Sequence, residues 1–247
     1  MLIVANWKAY VEDFAKAKRL FALGKRLART TKIDIVLAPP APFLGALATR
    51  NKSAVAFAAQ DISMTTGGAL TGEATAGTYA ATGATYAIIA HSERRALGDT
   101  ESIIAEKLVR ATAHSLTPIL CIGEHERDGD GRYLSFLREQ LTTALDSLTP
   151  KERTKVVIAY EPLWAIEKTA SFAIKPNDLT EMVLYIRKVL AELLPGKSSS
   201  RSLVLYGGSV EPENIRDLAA SSSVDGFLIG HASVDAHLFS LLVRQLT

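Results

Sequence analysis

Short apolar, often β-branched runs recur along this chain, separated by longer stretches in which apolar positions return every three or four residues. The short runs predict strands at residues 2–7, 34–38, 55–60, 86–91, 117–123, 155–161, 202–207 and 226–230. Most are nearly continuous in hydrophobicity rather than alternating, as parallel strands covered on both faces are. The longer stretches predict helices at 12–29, 100–115, 132–148 and 177–194, with shorter ones at 42–49, 73–82, 212–220 and 235–246. Asn177-Asp178 and Asp235 suit helix starts, and Pro42 and Pro212 suit first turns. Pro195-Gly196 suits a stop, followed by a polar linker over 197–201.

Eight strand–helix units in strict alternation imply parallel pairing through right-handed crossovers. Eight can close into a single (β/α)8 barrel, whereas an open doubly wound sheet has fewer strands, and no G-x-G-x-x-G follows the first strand. No Pro/Gly-rich boundary divides the 247 residues, so one domain over 1–247 is expected.

Composition narrows the function classes. A hydrophobic fraction of 48% with 22% charged residues supports a large core, and the net charge of +2 is spread rather than pooled. That argues against a nucleic-acid footprint. Residues 16–29 form a basic amphipathic stretch that imitates a membrane-surface or calmodulin-target helix but reads as the solvated face of an outer helix. Cys121 is the single cysteine, so no intramolecular disulfide can form, and its apolar neighbours make it a small buried hydrophobe. The opening Met1-Leu2-Ile3-Val4 lacks a signal peptide's charged region, and no run of about 18 apolar residues indicates a membrane helix. A soluble cytoplasmic protein is expected.

The active site of such a barrel lies at the C-terminal ends of its strands. Strand one ends Asn6-Trp7-Lys8, strand four His91-Ser92-Glu93 and strand six Glu161-Pro162. Strands seven and eight end Gly207-Gly208-Ser209 and Gly230-His231. A lysine, an imidazole and a carboxylate thus converge opposite a Gly/Ser-rich face, an acid–base set beside an anion site. Walker-type, H-E-x-x-H and zinc-type Cys/His spacings are missing, so no metal or cofactor is expected. His114 and His237 read as surface or packing residues, and Glu124-His125-Glu126 as a solvated rim loop.

The segments Ala5-Asn6-Trp7-Lys8, His91-Ser92-Glu93-Arg94-Arg95, Cys121-Ile122-Gly123-Glu124, Ala159-Tyr160-Glu161-Pro162-Leu163-Trp164-Ala165-Ile166 and Tyr206-Gly207-Gly208-Ser209-Val210 resemble the signatures of the triosephosphate isomerase family, in that family's order and over the whole chain. The resemblance implies a TIM barrel that interconverts glyceraldehyde 3-phosphate and dihydroxyacetone phosphate in glycolysis and gluconeogenesis. It implies Glu161 as base, His91 as neutral electrophile, and Lys8 with Asn6 steadying the phosphate and the developing charge. Ser92 would cap a short helix whose positive end keeps His91 uncharged, and Glu93 and Arg95 would support. Backbone N–H groups around Gly207, Gly208, Ser209 and Gly230 would take the phosphate. The loop over 62–73 resembles the family's third loop, which inserts into a partner, and so implies a homodimer.

Two positions depart from the pattern. The family usually carries Gly-Thr-Gly in the lid after strand six. Here Ala165-Ile166 runs directly into Glu167-Lys168-Thr169-Ala170, with Glu167 in the phosphate-binding place of the first glycine. His231 stands where the family usually has a second glycine, and a positive φ there would strain it. Together these predict a compact lid and a rebuilt phosphate grip. Two other readings stay open at this point: a catalytically silent sugar-phosphate-binding barrel or scaffold, and an aldose–ketose isomerase for larger substrates.

Overall fold

A computed structural model describes residues 1–165, 173–194, 196, 202–221 and 223–247. Eight strands, β1 (Leu2–Asn6), β2 (Asp34–Ala38), β3 (Ala56–Ala59), β4 (Tyr86–Ile89), β5 (Thr117–Ile122), β6 (Val157–Tyr160), β7 (Val204–Tyr206) and β8 (Gly226–Ile229), pair in parallel in chain order. β8 returns to β1 in the register Ala5↔Ile229 and closes the predicted barrel.

Closure explains the continuous hydrophobicity. Alternate side chains, among them Val4, Val36, Ala58, Ile119, Ala159 and Leu228, fill the barrel interior. Those between them, such as Ile3, Leu37, Ile89 and Ile158, pack outward in a second core under the helices. The same two-residue period carries the pattern to the rim. Asn6, Glu161, Gly207 and Gly230 each lie two residues beyond an inward-facing Val4, Ala159, Leu205 or Leu228, so all four turn into the mouth.

The outer layer comprises α1 (Phe14–Thr30), α2 (Ala41–Ala48), α3 (Ala76–Ala81), α4 (Ser92–Ala96), α5 (Glu101–Ala113), α6 (Arg132–Asp146), α7 (Pro150–Arg153), α8 (Pro176–Leu193), α9 (Ile215–Ser221) and α10 (Ala236–Gln245). α1 begins where Asp13 accepts the N–H groups of Ala15 and Lys16, satisfying two donors that a helix start leaves open. It buries Ala17, Leu20, Phe21, Leu23, Gly24 and Leu27 and turns its lysines and arginines to solvent. The basic stretch is therefore the outer face that its pattern predicted. Asp235 caps α10 as expected, through His237 and Leu238 N–H.

Other boundaries shift for local reasons. α8 starts at Pro176, so Asn177 lies inside the first turn instead of capping it. α9 starts at Ile215, past Pro212, because Asn214 Oδ1 accepts Glu211 N–H at 2.9 Å and holds 211–214 in a turn. α7 was not predicted; it rests on a reciprocal cap between Thr149 and Glu152. Pro195 and the linker 197–201 lie outside the described residues, and no described helix is long and apolar enough to cross a membrane.

Candidate active site

Asn6 ends β1, and its Oδ1 accepts Lys8 N–H at 3.0 Å. Lys8 has φ +46°, a left-handed conformation that costs a non-glycine residue about 1–2 kcal/mol. Gln60 helps to impose it: its Nε2 donates to the carbonyls of Lys8 at 2.9 Å and Ala38 at 2.8 Å. The ammonium then rests on Glu93 Oε1 at 2.6 Å. Burial pulls the Lys8 pKa down, but the hydrogen bond and charge of Glu93, aided by Tyr10 and Glu161, more than offset it and raise it above 10.5. Lys8 is held as a cation.

At the end of β4, Ala90 takes φ +63°, and Arg95 Nε holds its carbonyl at 3.2 Å. This reversal breaks the strand's alternation and aims His91 into the mouth, where it is 7% exposed. His91 Nδ1 accepts Glu93 N–H at 3.2 Å, so the histidine itself caps α4. The predicted cap, Ser92, is the first helical residue. The imidazole nitrogen reaches the N–H two residues on, just as a short polar side chain does. A ring nitrogen that accepts carries no proton, which puts the proton of the neutral ring on Nε2, 3.5 Å from Glu161 Oε1.

Glu161 is 2% exposed, and its Oε2 accepts Ser92 N–H at 3.3 Å. Below it lies Cys121, whose thiol is pushed well up by burial and then by the Glu161 charge. Beside it is Gly207, at which a Cβ would stand 2.7 Å from Glu161 Cγ. Gly207 N–H donates to the Tyr160 carbonyl at 2.8 Å, so this glycine contributes room rather than a donor. Ser209 spends its N–H, at 3.3 Å, and its hydroxyl, at 2.9 Å, on the Ala165 carbonyl. Among the described residues the N–H groups of Gly208, Gly230 and His231 carry no hydrogen bond. A Cβ at Gly230 would press on Lys8 Cε at 3.2 Å.

His231 opens a 3-10 turn (His231–Val234) and is not among the positive-φ residues, so the expected strain is not there. One cavity of about 600 Å³ collects Asn6, Lys8, His91, Glu161, Gly207, Gly208, Ser209, Gly230 and His231. Glu93 stands behind Lys8, and Ser92 behind Glu161. Glu167 and Lys168 lie outside the described residues, and with them the expected lid. Tyr10, Glu211 and Glu213 also line the cavity and were not predicted. They sit in loops without a motif, and only the barrel's closure brings them there.

Glu124 corrects the reading of a solvated rim loop: it is 1% exposed. Its Oε1 accepts from Tyr160 Oη and Trp164 Nε1, both at 2.8 Å. Arg127 lies 5.0 Å over the Trp164 ring and 3.4 Å from the same oxygen. This cluster anchors the 3-10 turn (Leu163–Ala165) that follows Glu161.

A carboxylate, an imidazole with its proton on the inner nitrogen and a fixed cation thus face one cavity beside open N–H groups. Such a set can move a proton between adjacent carbons while holding an anionic group still, which defines a barrel isomerase for a small phosphorylated hydroxy-carbonyl. The chain matches the family model described as triosephosphate isomerase over residues 1–246. Curated relatives named triosephosphate isomerase include one from Mycobacterium avium, 37% identical over 250 residues covering 98% of this chain and 94% of its own. One from Thermus thermophilus is 37% identical over 247 residues, covering 99% and 98%. A third, from Moorella thermoacetica, is 37% identical over 251 residues, covering 98% and 97%. The chain belongs to the triosephosphate isomerase family.

Proposed function

We propose that Glu161, His91, Lys8 and Asn6 carry out the isomerisation that the family's name denotes, between glyceraldehyde 3-phosphate and dihydroxyacetone phosphate. On substrate entry Glu161 leaves Ser92 N–H and removes a proton from the carbon next to the carbonyl. The electron pair forms an enediolate, the hydroxyl proton passes between its two oxygens through His91 Nε2, and Glu161 returns the carbon's proton to the neighbouring carbon. His91 Nε2–H donates to the enediolate oxygens, and the Lys8 charge, oriented through Asn6, stabilises their anion. Phosphate is held by the N–H groups of Gly208, Gly230 and His231, with Gly207 giving room and Ser209 joining once it releases Ala165. The observation that carries the reading is a nearly enclosed carboxylate 3.5 Å from a histidine whose other nitrogen is already an acceptor.

The same proposal takes residues 1–247 as one catalytic domain, in the cytoplasm, working as a homodimer. The loop over 62–73 supports the dimer, because residues 66–73 are all exposed and Met64 and Leu70 present apolar side chains to solvent. A monomeric mass at micromolar concentration would remove that part. The chemistry is tested by a coupled assay with glyceraldehyde 3-phosphate. Glu161→Gln should lower kcat by about 10²–10⁴-fold, the span of a general base. Folded wild-type protein without turnover would overturn the reading.

A further inference from the structure

Without His231, the residues lining the cavity include one cation, Lys8, against three carboxylates, Glu161, Glu211 and Glu213. The Lys8 ammonium is moreover held by Glu93 at 2.6 Å. A dianionic phosphate entering this mouth therefore meets a surplus of negative charge. Among the described lining residues, His231 is the remaining one, apart from the reacting His91, that can become positive. Its backbone lies in an unstrained turn, and its ring stands edge-on to Tyr10, centroids 5.6 Å apart at 88°. The ring, though exposed, leans on Tyr10 at the rim of the cavity beside Gly230.

We infer that the His231 imidazolium is a second phosphate-binding cation of this site, so that the grip on the anion tightens when the ring is protonated and relaxes when it is not. The inference rests on the reading of the mouth as a sugar-phosphate site and adds the side chain that sets its affinity. The groups facing His231 are Lys8 and Tyr10 after β1, Glu211 and Glu213 after β7, and Asp235 and His237 at the start of α10. Glu211 is the one most opposed to an anion. Burial and then Glu213 raise its pKa, while the His231 charge draws it back. The imidazolium therefore offsets Glu211 as well as attracting phosphate.

Substrate phosphate also titrates, so the test uses inorganic sulfate, which stays dianionic throughout. Calorimetric dissociation constants are measured from pH 5.5 to 8.5 for wild-type protein, His231→Gln and His231→Gly. Wild-type affinity should fall about tenfold or more across the range, the loss of about one charge-assisted contact. Both variants should stay near the weak wild-type value of pH 8.5. Parallel curves, or a flat wild-type curve, would overturn the inference, and two variants guard against one that misfolds. Sulfate binding needs no turnover, so a failed isomerase assay with a normal pH curve would strike the function and spare the grip.

Discussion

Gly207 offers a sharp test of how closely the mouth is built around Glu161. A methyl group there would stand 2.7 Å from Glu161 Cγ, 3.2 Å from Oε1 and 3.5 Å from Cδ. Carbon atoms pack at about 3.5–4.0 Å, so the side chain in Gly207→Ala must retreat by roughly 1 Å. It has little room to do so. Ser92 N–H and His91 hold its oxygens at 3.3 and 3.5 Å, and its own carbonyl lies so close to Gly123 that a Cβ there would be 1.9 Å away. Gly207 has no positive φ, so alanine adds a collision and no backbone strain. A 1 Å misplacement of a reacting group costs up to about 10²-fold in rate, or about 2.7 kcal/mol. Coupled assays should therefore show kcat lower by about that factor with KM nearly unchanged, because Lys8 and the open N–H groups are untouched. Overpacking should also cost about 1–3 kcal/mol, at about 2–4 °C in Tm for each. Removing Cγ should relieve the collision, so Gly207→Ala/Glu161→Ala should melt above the sum of its single variants. Wild-type kcat in Gly207→Ala, or strictly additive melting shifts, would refute the reasoning.

Two further outcomes follow from charge. Lys107, 3% exposed, lies 2.7 and 2.9 Å from the Asp61 oxygens and 2.6 Å from Asp99. Lys107→Met leaves Asp61 and Asp99 to Arg94, at 2.9 and 3.6 Å, and should cost up to about 3–5 kcal/mol in urea unfolding; a loss under about 1 kcal/mol would mean that Arg94 and water compensate the cluster. The Lys8 pKa is raised in the fold, so its pairing stabilises fully below pH 10.5 and is lost only as pH rises through the higher folded value. The alkaline fall of kcat/KM due to Lys8 should therefore lie above pH 10.5 and move down in Glu93→Gln. An unmoved limb would show that Glu93 does not hold the ammonium.

The barrel was legible because closure buries both strand faces and leaves eight short apolar runs between amphipathic stretches. Asn6, Glu161, Gly207 and Gly230 were legible as a site because the two-residue period puts them on one rim. Lys8 and Ala90 were not legible as left-handed residues. Neither is glycine, and the bonds that hold them come from Gln60, more than fifty residues from Lys8, and from Arg95, which reaches back to Ala90 only once α4 has formed. The cap at α4 was missed for a related reason: imidazole seldom enters rules written for hydroxyls and carboxylates, and Ser92 was the obvious candidate. The role of Gly207 changed because its N–H was already committed to the Tyr160 carbonyl, a sheet bond invisible before the register was known. Glu124 looked solvated ahead of His125 and Glu126, yet Tyr160 and Trp164 roof it over.

The pairing of β1 with β8 bears on how the protein is made. Of the residues that line the cavity, Asn6 and Lys8 leave the ribosome first, and Gly230 and His231, their neighbours across it, are among the last to follow. Until β8 is delivered, β1 has an open edge that another strand can capture, and the cavity lacks Gly230 and His231. The growing chain must therefore keep its first strand from straying for most of its synthesis. Catalytic competence arrives with the final turn of the ring, in one step, and not by degrees.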